Sequence, residues 1–191
     1  RLNNITYMSN NYMWNPIISA SEVYFLLAEA AQRGYISSPS AEAAFKDGVK
    51  YSILAYFKSN MESSQASLFY NSAAYNDYRA DAVPADSEIN ALTAALWSAY
   101  SDKLEGIMTQ KWVNFGILQP TQAWTDIRRT GLPALTYPED GADNNGFKTV
   151  TQRVKYPATE ANNNAANYKA AAANMDSDSA YKVLFWAKEV K

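Results

Sequence analysis

Apolar residues recur at helical spacing through much of the first 130 positions, interrupted by polar stretches rich in Asn and Ser. After an aperiodic lead-in over residues 1–18, Ser19 and Glu22 have the spacing of a capping box, in which hydroxyl and carboxylate each satisfy an orphan backbone N–H. Val23, Leu26, Leu27 and Ala30 follow on one face, and Gly34 is placed to stop the helix in a left-handed cap. A second helix is expected with Ser38 as its cap and Pro39 in its first turn. Phe45, Val49, Ile53 and Phe57, with Leu54 and Tyr56, give it a broad apolar stripe. Two such helices joined by a short turn make an αα-hairpin of tetratricopeptide size, and Ala28, Ala43 and Ala44 permit close packing.

Residues 59–86 turn polar and irregular, with Tyr70, Tyr75 and Tyr78 among Asn, Ser and Asp. A third helical region runs from about Asp86 to Gly116, where Leu92, Leu96, Tyr100, Leu104, Ile107, Met108, Trp112 and Phe115 keep a period between three and four. Ser101 marks a junction within it. Thr121 is the expected cap of a short helix that stops at Gly131-Leu132-Pro133. Residues 136–165 read as loop, a small alanine-rich helix is expected near 166–174, and Lys182 to Trp186 reads as a short strand or extended plug. No linker divides the chain. The expectation is one helical domain over 1–191, mostly α, with the αα-hairpin packed among further helices and long loops.

Composition then narrows the chemistry. With 48% hydrophobic and 19% charged residues the chain is globular, and a net charge of −2 offers no basic face for nucleic acid. No apolar stretch reaches the roughly 20 residues a membrane span needs. There is no His and no Cys, which removes the commonest general base, the commonest zinc ligands and any thiolate nucleophile. Only a paired-carboxylate glycosidase stays open as an enzyme class, with Asp126, Glu105, Glu139 and Asp140 as candidates by residue type alone. Asp126 stands one turn from Arg129, where an ion pair accounts for it. No phosphate loop, nucleophile elbow or metal-ligand spacing appears, so no cofactor, metal or catalytic residue is expected.

Aromatic residues reach 14% of the chain, including 14 Tyr and 5 Trp. Most fill a core. Tyr12 and Trp14 differ, because they lie in the polar lead-in where no amphipathic stripe claims them. A flat indole with Asn side chains nearby suits a sugar ring, although a Trp just before a helix also packs as a staple. Tyr75 and Tyr78 are candidates on the same grounds. Arg128 and Arg129 could clasp an acidic ligand, but at a helix C-terminus beside Asp126 they serve the dipole and the local acid.

Two stretches are more specific. Glu105-Gly106-Ile107-Met108-Thr109-Gln110-Lys111-Trp112, followed by Gln122-Ala123-Trp124-Thr125-Asp126-Ile127-Arg128-Arg129-Thr130-Gly131-Leu132-Pro133, resembles the C-terminal region of SusD/RagB-like proteins, the surface nutrient-binding lipoproteins of Bacteroidetes. Ser21 to Ala30 is similar to that family's tetratricopeptide helix, and Arg153-Val154-Lys155-Tyr156-Pro157 with Glu160, Asn163 and Asn167 is similar to a late motif of the family. Gln122 departs from the pattern, where many members carry Glu, and family members are much longer chains. The resemblance implies a tetratricopeptide-based protein on the outer face of the outer membrane, held by a lipid anchor outside this chain. It implies capture of glycans or other oligomeric nutrients and their transfer to a TonB-dependent transporter, without chemistry on them. Within the motif it implies scaffold roles: Trp112 and Trp124 as anchors, Arg128 and Arg129 as ion-pair partners, Gly131 as a cap, with Glu105, Lys111 and Asp126 beside them. Two alternatives stay open: a helical scaffold that docks the transporter while the ligand site lies elsewhere in a longer protein, and a carboxylate glycosidase.

Overall fold

The computed structural model describes residues 6–7, 10–64, 82–136, 150–175 and 178–185; among these there are seven α-helices and no strand. The chain forms two compact units, Arg1–Pro120 and Thr121–Lys191. No helix among the described residues is long and apolar enough to cross a membrane.

The first unit is built on a hairpin of α1 (Ala20–Gln32) and α2 (Ala41–Met61), which pack along much of their length. Ser19 caps α1, its Oγ accepting from the Glu22 N–H at 3.1 Å. The other half of the expected box is redirected: the Glu22 carboxylate accepts from Gln119 Nε2 at 3.2 Å. Gly34 follows the helix at φ 77°, as expected for a left-handed stop. Of the two serines flanking Pro39, Ser40 and not Ser38 caps α2, because its hydroxyl reaches the open N–H of Ala43 at 3.2 Å.

The buried face of α1 is rotated from the expected stripe. Ser21, Phe25, Ala28 and Glu29 are buried, whereas Val23 and Leu26 are 40% and 42% exposed. Close approach to α2 selects small residues, with Ala28 and Ala44 in the shared core and Gly48 under the Phe25 ring, which meets Phe45 edge-on. The wide aliphatic side chains move to the flanks.

Helices α3 (Asp86–Ala99) and α4 (Lys103–Phe115) complete the unit and separate at Tyr100, one residue from the expected junction at Ser101. Asp102 caps α4 by accepting from the N–H groups of Leu104 (2.9 Å) and Glu105 (3.2 Å). Lys103 donates from Nζ to the carbonyls of Trp97 and Tyr100, each at 2.6 Å, which sets a cation on the negative end of α3. Phe25, Phe45, Val49 and Ile107 form the core, with Leu96 and Trp97 packed against it. On α3 the buried positions are Ile89 and Thr93, and Leu92 is exposed.

In the second unit α5 (Pro120–Thr130) buries Ala123 and Ile127. Its first helical residue is Pro120, so Thr121 lies inside the helix and does not cap it. Gly131 ends it at φ 74°, donating to the Ile127 carbonyl at 2.8 Å. Beyond it, α6 (Ala158–Asn163) forms within the stretch expected to be loop, and α7 (Ala165–Ala173) is the expected alanine-rich helix. Residues 182–184 join no strand, and Trp186 lies outside the described residues.

Candidate functional site

Residues of α1, α2 and the lead-in line an open cavity of about 480 Å³ in the first unit. Its walls are the start of α1 (Ser19, Ala20, Ser21) and one face of α2. Tyr51, Leu54, Ala55, Lys58, Ser59 and Glu62 supply that face, at intervals of three and four residues, so they line up along a single side of the helix. Tyr12 and Trp14 of the lead-in close the cavity from the other direction. Tyr12 is 73% exposed at the rim.

Three aromatic rings therefore face one cavity, and two of them are braced. Tyr51 stacks on Tyr24, with centroids 5.2 Å apart and planes 10° from parallel. Trp14 leans on Tyr56 at 6.4 Å, and Tyr56 is itself fixed by donating from its hydroxyl to the Asn114 carbonyl at 2.7 Å. Tyr7 packs against the same Tyr56 ring at 6.0 Å. Burial, and then the neighbouring Tyr7, hold the Tyr56 phenol well above its usual range, so it stays a neutral donor.

The polar floor is also held. Ser21 donates to Asn114 Oδ1 at 2.6 Å and lies 2.9 Å from the Ser19 hydroxyl. Asn10, 7% exposed, pins the lead-in: its amide donates to the Ser59 carbonyl at 3.1 Å, and its Oδ1 accepts from the Tyr12 N–H at 3.0 Å. Asn11 adds a bond from its N–H to Ser64 Oγ at 2.8 Å. The lead-in thus has one seat on the end of α2, and that seat aims Tyr12 and Trp14. Such a space, apolar with a few fixed polar groups, is of the size and character that takes a small molecule or one part of an oligomer.

Of the four aromatic residues singled out in the sequence, the structure brings Tyr12 and Trp14 together; Tyr75 and Tyr78 lie outside the described residues. Sequence reading missed Tyr51 as a wall and Asn10 and Tyr56 as supports. The signal was present in the mixed stripe from Tyr51 to Glu62, which carries Lys, Ser and Glu on a face too polar for a core.

The motif residues take other places. Glu105 opens α4 in its first turn. Lys111 is only 3% exposed, with Nζ 5.5 Å from the Phe115 ring centre, whereas Trp112 is 40% exposed. Trp124 donates from its indole N–H to the Thr151 carbonyl at 2.6 Å, and the Arg128 guanidinium stacks over its ring at 4.3 Å. Arg129 pairs with Asp126 at 3.0 Å. Asp126, a type-only candidate for acid–base work, is thus tied into the helix that carries it.

A helical hairpin of tetratricopeptide type carrying an aromatic-lined cavity places the chain in the class of tetratricopeptide-like helical proteins. The chain belongs to the SusD-like family, described as Susd and RagB outer membrane lipoprotein, whose family model matches residues 3–187. Membership places it among outer-membrane lipoproteins, as the motifs implied. Solved structures agree in fold. A chitin-binding protein is 28% identical with a TM-score of 0.62, covering 88% of this chain and 32% of its own. A SusD homolog from Bacteroides fragilis is 22% identical with a TM-score of 0.65, over 90% of this chain and 35% of its own. A SusD-like protein from Bacteroides thetaiotaomicron is 25% identical with a TM-score of 0.53, over 91% and 37%. The chain spans about a third of the length of these structures. Among curated proteins none matches it.

Proposed function

We propose that this chain contributes a glycan-binding site to a cell-surface nutrient-capture protein, which hands its cargo to a TonB-dependent outer-membrane transporter without altering it. The observation that carries the reading is the cavity between Tyr12, Trp14 and Tyr51, with braced rings above fixed serine hydroxyls. Sugar rings present C–H faces and hydroxyl edges together, and aromatic faces beside fixed polar groups answer both. The family and its chitin-binding relative support the ligand class and bring an N-acetylated glycan to the front of the panel.

The test is calorimetric titration of the 191-residue chain, wild type and Trp14→Ala, with chitohexaose, maltohexaose, cellohexaose and mannohexaose. We expect saturable binding of at least one, weakened about fivefold or more by the substitution, the scale of losing an aromatic platform. Recovered sugars should be intact. A folded chain that gives no heat with any of the four would favour the transporter-docking scaffold. Shorter oligosaccharides, absent with Asp126→Asn, would establish the glycosidase.

A further inference from the structure

We infer that the second unit holds another saccharide site, in the groove beside the paired rings of Tyr156 and Tyr168. The groove has a volume of about 300 Å³ and is lined by Tyr156, Pro157, Glu160, Asn164, Asn167 and Tyr168. The inference goes beyond the cavity at Trp14. It rests on the glycan reading for its class of ligand and not for its location.

The two rings meet edge to face, 6.2 Å between centroids and 82° between planes. Tyr156 is held from behind. Arg153 lies 5.1 Å from its ring centre, and the guanidinium is fixed by an ion pair with Asp178, both side chains being nearly buried. Asp178 also accepts from the Tyr156 N–H at 3.0 Å. Ring and backbone are therefore oriented by one charged pair, and Tyr156 still reaches solvent.

Asn164, Asn167, Tyr168 and Ala171 follow at intervals of three, four and seven along one side of α7, beside the groove. Asn167 donates to Asn164 Oδ1 at 2.7 Å, and Asn164 donates to Glu160 Oε2 at 3.1 Å. A carboxylate only accepts, so it dictates the direction of the whole row. Each amide spends a donor along the row, which leaves the Asn167 side-chain carbonyl and the second Glu160 oxygen uncommitted within it. Acceptors in a row beside a fixed ring suit adjacent hydroxyls of a pyranose, whose C–H face lies on Tyr156 or Tyr168. None of these amides serves the core, because Glu160, Asn164 and Asn167 line open space and not a packed seam.

The experiment is titration of the full chain with the same four hexasaccharides, using Trp14→Ala, Tyr168→Ala, Asn167→Ala and the Trp14→Ala/Tyr168→Ala pair, each checked for an unchanged melting temperature. We expect Trp14→Ala to retain a saturable component that Asn167→Ala weakens about threefold or more, and that the double variant loses. Tyr168→Phe, which keeps the ring, should bind like wild type. Binding abolished by Trp14→Ala and untouched by Tyr168→Ala and Asn167→Ala would overturn this site and leave the first. Binding untouched by Trp14→Ala and lost with Tyr168→Ala would do the reverse. No heat with any sugar overturns both.

Discussion

The Phe25 ring rests directly on the backbone of Gly48: a Cβ added there would stand 2.9 Å from Phe25 Cδ1 and Cε1. Phe25 is fully buried and meets Phe45 edge-on at 6.3 Å, so the ring has no room to swing aside. Gly48→Ala would gain up to ~1 kcal/mol of helix propensity. Overpacking of a closed seam costs about 1–3 kcal/mol. We expect a net loss of up to about 2 kcal/mol, read as a lower urea midpoint with unchanged slope. A variant as stable as wild type would mean that the hairpin seam yields.

Tyr56 gives a pH signature. Its folded phenol titrates above the free value because of burial first and Tyr7 second. A group raised in the folded state contributes stability that is fully present below its unfolded pKa, near 10, and lost as pH rises through the folded value. Stability should therefore be level through neutral pH and fall on the alkaline side above about pH 10. Tyr56→Phe should lower neutral stability by about 1 kcal/mol, for the lost bond to Asn114. It should also flatten the alkaline fall, measured by denaturant melts across pH. An alkaline limb identical to wild type would assign that fall to other groups.

Asn10 does not itself line the cavity, yet it bonds to two wall residues, Ser59 and Tyr12, and so aims the wall. Its amide satisfies the Ser59 carbonyl, one of the last four of α2 that lack a helical partner. Asn10→Ala should cost about 1–3 kcal/mol, for stranding a buried acceptor, and should weaken glycan binding several-fold by releasing Tyr12 and Trp14. Asn10→Asp keeps the acceptor for the Tyr12 N–H but sets a carboxylate against the Thr6 and Ser59 carbonyls, and should cost at least as much as Asn10→Ala. Wild-type affinity in Asn10→Ala would show that the aromatic pair holds itself.

Asp178 sits at φ 65°, a conformation that Asn tolerates, so Asp178→Asn isolates the loss of charge from any backbone change. Removing one partner of a buried ion pair leaves the other uncompensated, at about 3–5 kcal/mol. Hydrogen exchange should quicken at Tyr156, whose N–H donates to that carboxylate, while amides around Phe25 keep their protection. Unchanged exchange at Tyr156 would refute the role given to the pair.

What the sequence reveals follows from how local each cause is. Ser19, Gly34 and Gly131 mark helix ends because capping is settled within a few residues. The burial of Phe25 in place of Leu26 depends on Gly48, more than twenty positions away, and no window on α1 contains it. Lys111 and Trp112 show a different failure. Gly106, Ile107, Met108, Lys111, Asn114 and Phe115 are the buried positions of α4, at helical spacing. Lys111 and Trp112 each stand three or four residues from a buried position, so spacing admits either, and residue type favours Trp112 and misleads. Tyr12 and Trp14 were legible as candidates because nothing in their own segment could bury them. Tyr51 was hidden inside a helix whose aromatic residues read as core.

The cavity in the first unit divides into a rim and a floor that differ in how freely they can change. Ser21 and Ser59 are committed, one to Asn114 and the other to the lead-in through Met13 and Asn10. Tyr12, Lys58 and Glu62 stand at the open edge. Exchanging them alters shape and charge at the mouth while the hairpin keeps its seam. Substitutions at the rim can therefore accumulate at little cost to folding, whereas a change at the floor disturbs bonds that seat the lead-in and α1.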